Sequence, residues 1–187
     1  QEVYDEIIKK SATQYNLKFN VRNTPTIIDR VRLFSGVKMG DPKINKNDQI
    51  GFGGRFYEQE TESFDQSIDI LLNHLQKWFS GDNKMNFNQI AVLTQNDETA
   101  KNLKETLLSN GYRSEILNTT TVLSNLDCLL ISTVENFKGL EKEIICIFHV
   151  DEKLIIDNAK NFFYNSISRA NHTVLFIYKK NVMNLIG

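Results

Sequence analysis

The chain has 187 residues, 41% of them hydrophobic, 24% charged and 10% aromatic, and a formal net charge of −1. That balance excludes a disordered chain, a collagen and a small disulfide scaffold, and it spreads no blanket of positive charge for nucleic acid. The length fits one domain with a core of its own.

Short apolar runs alternate with amphipathic stretches, which reads as an α/β fold: β-α units around a mostly parallel sheet flanked by helices. A first strand, Asn16–Asn20, leads through Arg22 into a helix from Pro25 to about Met39, with Pro25 tolerated in the first turn. Residues 40–61 mix Gly40, Pro42, Gly51, Gly53 and Gly54 with Asn, Asp and Lys, and read as an irregular loop or short hairpin. A helix follows from about Glu62 to Ser80, where Phe64, Ile68, Leu71, Leu75 and Trp78 form one apolar stripe. Then come a strand at Gln89–Thr94 and a helix after Asn96, with Asp97 as its N-cap and Gly111 as its stop. Strands at Arg113–Leu117, Cys128–Ser132 and Ile144–Val150, a helix at Asn158–Ala170 and a strand at Thr173–Tyr178 complete the pattern. Several strands are apolar on consecutive positions, as expected where helices cover both faces.

Most familiar chemistries find no support. Cys128 and Cys146 sit inside apolar runs and read as buried thiols in a reducing compartment, with no disulfide and no metal site. His74, His149 and His172 are scattered, and none stands near a nucleophile elbow. The phosphate-loop signature G-x-x-x-x-G-K-S/T is absent, and Gly51-Phe52-Gly53-Gly54 reads as a turn because no strand precedes it. No apolar run approaches the ~20 residues of a membrane span. Gln1 opens no basic-then-apolar leader. The expected compartment is therefore the cytoplasm, or the nucleus in a eukaryote, with no membrane partner. The missing initiator Met is expected to mark a processed chain or a piece of a longer one.

Three segments near strand ends carry more. Phe19-Asn20-Val21-Arg22-Asn23-Thr24-Pro25 runs from a strand into a helix start with an arginine in the turn. Ser132-Thr133-Val134-Glu135-Asn136-Phe137-Lys138-Gly139-Leu140-Glu141 lies between two apolar strands. Phe163-Tyr164-Asn165-Ser166-Ile167-Ser168-Arg169-Ala170 ends a helix ahead of the last strand. Ligands of parallel α/β sheets bind at the carboxyl ends of the strands. Arg22 and the Lys138–Glu141 loop fit that rule, which leaves the place of Arg169 open. Taken singly, Arg22 reads as a surface ion pair and Lys138-Gly139 as an ordinary helix stop.

Taken together and in this order, the segments resemble motifs of superfamily 1 helicases of the UvrD/Rep type, in the second of their two RecA-like motor domains. The pattern N-Y-R-S/T-T matches Asn20-Val21-Arg22-Asn23-Thr24. T-x-H-x-x-K-G-L-E matches Thr133 to Glu141, with Glu135 in place of the His. Y-V-A-x-T-R-A matches Tyr164 to Ala170, with Asn165, Ser166 and Ser168 departing from it. Ile90–Thr94, the Leu-rich helix after it and Asn110-Gly111-Tyr112 resemble the strand-helix unit between these motifs, so the resemblance spans nearly the whole chain. The short link from Arg22 to Ile90 leaves no space for the family's large inserted domain, and the spacing is similar to the helicase-like region of Schlafen-type proteins.

The resemblance implies that residues 1–187 are a second, C-terminal RecA-like domain lacking the phosphate loop. ATP and Mg2+ would be held mainly by an N-terminal RecA-like domain of the same parent, absent here. Arg22 and Arg169 would be the arginine fingers, since a permanently charged, forked guanidinium stabilises charge on a transferring phosphoryl group. Glu141 would accept from the nucleotide sugar, and Lys138 and Gly139 would line the same site, Gly139 by letting the backbone approach closely. Thr133 and Asn136 would face single-stranded nucleic acid, DNA ahead of RNA, through its phosphates. Glu135 works against that contact, because a carboxylate repels a phosphate. Without the first domain the chain is expected to be catalytically silent. Two alternatives stand beside this: a non-catalytic RecA-like binding module, and an unrelated doubly wound domain that binds a small nucleotide alone.

Overall fold

The computed structural model describes residues 19–20, 22–42, 54–80, 84–117 and 127–186. Strand β1 (Phe19–Asn20) leads into helix α1 (Pro25–Ser35), and β2 (Asp41–Pro42) pairs parallel with β1 in a small sheet of its own. The predicted strand at Asn16–Asn20 is therefore seen only at its end, residues 16–18 lying outside the described residues. After these come β3 (Arg55–Thr61), α2 (Phe64–Phe79), β4 (Ile90–Thr94), α3 (Asp97–Ser109), β5 (Ser114–Ile116) and β6 (Leu129–Thr133). Then follow β7 (Lys142–Val150), the short α4 (Glu152–Ile155), α5 (Ala159–Ile167) and β8 (Ala170–Lys179). Six strands form one parallel sheet in the order β3-β8-β7-β4-β6-β5. The expected α/β architecture is the one found.

Alternation along each central strand divides the core into two layers. Ala91, Leu93, Ile145, Ile147, Val174 and Phe176 face α1 and α5, where Ile27, Val31, Phe34, Phe163 and Ile167 meet them. Ile90, Val92, Ile144, Cys146, Phe148, Leu175 and Ile177 face α2 and α3, where Leu71, Leu75, Leu103 and Leu107 cover them. Every residue of β4 and β6 is buried, which is why these strands read as unbroken apolar runs.

Local chemistry sets the helix ends. Helix α1 begins with Pro25 at its first turn and stops at Gly36, which turns left-handed (φ 70) and donates to the Arg32 carbonyl at 3.0 Å. The stop falls short of the predicted Met39. Ser63 caps α2, accepting from Gln66 N. Helix α3 is capped by Asn96, accepting from Thr99 N at 2.8 Å, so the cap lies one residue ahead of the predicted Asp97.

The stretch 40–61, read as a loop or hairpin, contains an edge strand instead. β3 pairs parallel with β8 from Arg55↔Thr173 to Thr61↔Lys179. Its sequence, Arg-Phe-Tyr-Glu-Gln-Glu-Thr, lacks an apolar run because an edge strand is only partly covered. Phe56 packs on Phe34 and Phe176, while Arg30 lies over the Phe56 ring and pairs with Glu58 at 2.9 Å.

Candidate functional site

All strands of the large sheet run the same way, so a residue just ahead of a strand lies at the amino edge and one just past it at the carboxyl edge. Glu141 immediately precedes β7, Arg169 immediately precedes β8, and Arg22 stands in the turn before α1. These three meet at the amino edge. Arg22 Nε lies 2.7 Å from Glu141 Oε2, with the two side chains 50% and 44% exposed. Arg169 is held below the ordinary guanidinium value, first by burial and next by the charge of Arg22, with Tyr164 and Glu141 pulling the other way.

This corrects the expectation that Arg22 and the Lys138–Glu141 loop sit at the carboxyl ends of the strands. β6 ends at Thr133 and β7, parallel to it, begins at Lys142. The connection between them must therefore return from the carboxyl edge to the amino edge, and it delivers Glu141 to the latter. Phe137, wholly buried, anchors its middle.

The backbone holds the cluster in place. Lys142 N, next to Glu141, donates to the Arg169 carbonyl at 3.1 Å, and Thr24 N donates to the Asn171 carbonyl at 3.3 Å. Asn23, buried beside Arg22, donates from Nδ2 to the carbonyls of Ser168 (3.0 Å) and Ala170 (2.7 Å). Gly54, at the start of β3, closes the other side. A Cβ there would fall 1.8 Å from Thr24 Oγ1 and 2.8 Å from the His172 carbonyl, so only glycine fits. Arg169 Nη2 reaches Ser168 Oγ at 3.2 Å, but Arg169 Nε, Thr24 Oγ1 and Asn171 Oδ1 are buried without a hydrogen-bond partner among the described residues. Groups of this kind call for an explanation, since nearly all buried polar atoms in folded proteins are paired.

The other nominated residues are placed differently. Lys138 Nζ is paired with Glu135 Oε2 on the exposed turn after β6. Glu135, the departure from the family's His, thus holds the lysine expected at the nucleotide. Gly139 has φ 87, and a Cβ on it would meet nothing within 4 Å. Its glycine answers a left-handed backbone, and the space beside it is open. Thr133 ends β6 at the carboxyl edge, 9% exposed, and its Oγ1 accepts from Asn136 N at 3.2 Å. Thr133 and the exposed Asn136 therefore stand across the sheet from the arginines. Sequence reasoning missed Asn23 as more than part of a motif, because its partners lie 145 and 147 residues away.

The carboxyl edge carries a second polar cluster. Ser67 Oγ lies 2.9 Å from Thr61 Oγ1 and 2.7 Å from His149 Nδ1. Gln95 donates to the His149 carbonyl at 3.3 Å and accepts from Asp151 N at 3.0 Å, and Asp151 pairs with Lys179 at 2.6 Å. His149 has φ 50, a conformation non-glycine residues adopt at some cost. A cleft of about 260 Å³ lies alongside, lined in part by Thr61, Glu62, Asp151, Lys153 and Lys179. No group of three or more His, Cys, Asp or Glu residues that could hold a metal ion occurs among the described residues, and no helix of theirs is long and apolar enough to cross a membrane.

Neither a protein-family model nor a curated protein matches the sequence. Solved structures do share its shape. The C-terminal domain of a possible DNA helicase from Lactobacillus plantarum WCFS1 superposes with a TM-score of 0.58 at 16% identity, covering 90% of this chain and 94% of that one. The C-terminal part of the Fun30 ATPase domain gives 0.45 at 12% identity over 64% of this chain and 45% of its own. The helicase domain of Pyrococcus furiosus Hef gives 0.37 at 15%, over 63% and 26%. The first of these fixes the fold: a parallel six-stranded α/β domain of the RecA-like kind found as the C-terminal half of helicases.

Proposed function

We propose that this chain is the second motor domain of an ATP-dependent DNA or RNA helicase or translocase. Arg22 and Arg169 reach the γ-phosphate of ATP bound by an N-terminal RecA-like domain, and Glu141 accepts from the nucleotide sugar. Mg2+ belongs to that first domain. Single-stranded nucleic acid, DNA ahead of RNA, runs past Thr133 and Asn136. The superfamily 1 assignment rests on the three motifs.

The observation that carries this reading is the convergence of Arg22, Glu141 and Arg169, remote in sequence, at one edge of the sheet. Two guanidinia and one carboxylate make a cationic cluster suited to a triphosphate oxygen, and buried donors near it lack partners among the described residues. An arginine in such a place stabilises charge on the transferring phosphoryl group. The test is ATP hydrolysis by the parent protein with and without single-stranded DNA. Arg169→Ala and Arg22→Ala should each lower stimulated turnover about 10³-fold or more, leaving a measurable residue, while nucleotide binding largely persists. An Arg169→Ala protein that hydrolyses ATP at the unmodified rate removes the finger assignment.

A second reading, a non-catalytic RecA-like binding module, draws on the Glu135–Lys138 pair, which places a carboxylate where the family pattern has a His. A parent protein with an intact phosphate loop and turnover excludes it.

A further inference from the structure

Asn23 occupies the turn beside Arg22 and is 7% exposed. A carboxamide nitrogen carries two hydrogens, and this one faces the Ser168 and Ala170 carbonyls, which flank Arg169. The Arg169 carbonyl between them accepts from Lys142 N, and the Asn171 carbonyl accepts from Thr24 N. The carbonyls of residues 168 to 171 are thus taken in succession by Asn23, Lys142, Asn23 again and Thr24. The donors belong to two segments, one bearing Arg22 and the other following Glu141.

We infer that Asn23 is a positioning residue that sets the spacing of Arg22 and Arg169, so that the two guanidinia engage one phosphoryl group as a unit. The inference rests on the motor reading above. Its physics is specific to this side chain. Two like charges brought together repel, and a turn is soft enough to relax and separate them. Two bonds to the backbone on either side of Arg169, made out of reach of solvent, oppose that relaxation. Serine or threonine, the residue type of the family pattern at this place, has one hydroxyl proton and could satisfy one carbonyl. Aspartate has none at neutral pH and would repel both.

The experiment measures ATP turnover of the parent protein carrying Asn23→Ala, Asn23→Ser or Asn23→Asp, alone and combined with Arg169→Ala. Asn23→Ala should lower kcat roughly 10–100-fold, as small misplacements of reacting groups do, with the KM for ATP little changed. Asn23→Ser should retain an intermediate rate, and Asn23→Asp should be the slowest. In the Arg169→Ala background Asn23→Ala should cost little more, because the spacing of two guanidinia matters only where both are present. Equal losses in both backgrounds would mean a merely structural role and would overturn the inference. So would an unchanged kcat for Asn23→Ala where Arg169→Ala lowers turnover about 10³-fold or more, an outcome that leaves the motor reading standing. If Arg169→Ala itself is harmless, the motor reading fails and the clamp loses its function with it. Should Asn23→Ala fail to fold, Asn23→Ser, which keeps one of the two bonds, decides by the same comparison.

Discussion

The two edges of the sheet hold polar clusters of opposite character. At the carboxyl edge, Thr61, Ser67, His149, Gln95, Asp151 and Lys179 answer one another's hydrogen bonds. At the amino edge, Arg22 and Arg169 share a neighbourhood with one carboxylate, and buried atoms of Thr24, Arg169 and Asn171 find no partner among the described residues. The first arrangement stabilises the fold that contains it. The second sets two guanidinia beside a single carboxylate, and in our proposal a triphosphate completes it. In that proposal the difference separates a cluster that holds structure from one that holds chemistry.

Substitutions can break or sharpen this contrast. The largest effect should come from Arg169→Ala: about 10³-fold or more off the ATP turnover of the parent protein, with the melting temperature unchanged or raised, because a half-buried cation beside another is removed. Asp151→Ala should do the reverse, destabilising the fold by about 1–2 kcal/mol in urea unfolding while leaving turnover intact, because Lys179 and the Lys153 amide lose their acceptor. If both substitutions act on stability alone, the contrast between the edges is wrong.

Acid should weaken the carboxyl edge next. His149 is held below the ordinary imidazole value of 6.5 by burial and then by Lys179, with Asp151 opposing, and His74 is lowered by burial and Lys77. The unfolded chain therefore takes up protons before the folded one, so stability falls as the pH drops below about 6.5 and levels off beneath the folded values. For Asp151, burial alone would raise the carboxyl, but the Lys179 bond, the Lys153 amide and both lysine charges outweigh it and leave it below its ordinary value. Its contribution is present above the unfolded carboxyl value and is lost only in stronger acid. Urea midpoints from pH 7.5 to 5 should shift downward, and His149→Gln should flatten part of that slope. The smallest effect belongs to Glu141→Gln. Its pair with Arg22 is half exposed, so unfolding free energy should change by no more than about 0.5 kcal/mol, even though the substitution takes the charge from the proposed sugar contact.

Much of the fold was legible in the residues. Ile90–Thr94 and Ile144–Val150 announce themselves as strands covered on both faces, and the apolar stripe from Phe64 to Trp78 announces its helix. β3 did not, since Phe56 and Tyr57 stand among Arg55, Glu58, Gln59 and Glu60, and its pairing with β8 arises only in the assembled sheet. At the site, the arginines and Glu141 were found by motif. Glu141 and Arg169 each stand directly ahead of a strand, a place that marks the amino edge of a parallel sheet, whereas Arg22 precedes a helix and its edge shows only in the assembled fold. Asn23's clamp was out of reach, because nothing local in Asn-Thr-Pro tells which distant carbonyls a buried amide will meet. The Lys138 ion pair was legible in principle, since an acid stands three residues before it in an exposed turn.

Gly54 sets a limit of a different kind. Where its hydrogen stands there is no room for a methyl group between the sheet's outermost strand and the turn that bears Arg22. A descendant of this chain could exchange either guanidinium for another side chain and still fold. It could not acquire an alanine at this one position without prising the turn from its seat. The least replaceable atom near the two arginines is thus a single hydrogen, and mutational drift should exchange either guanidinium long before it alters this spot.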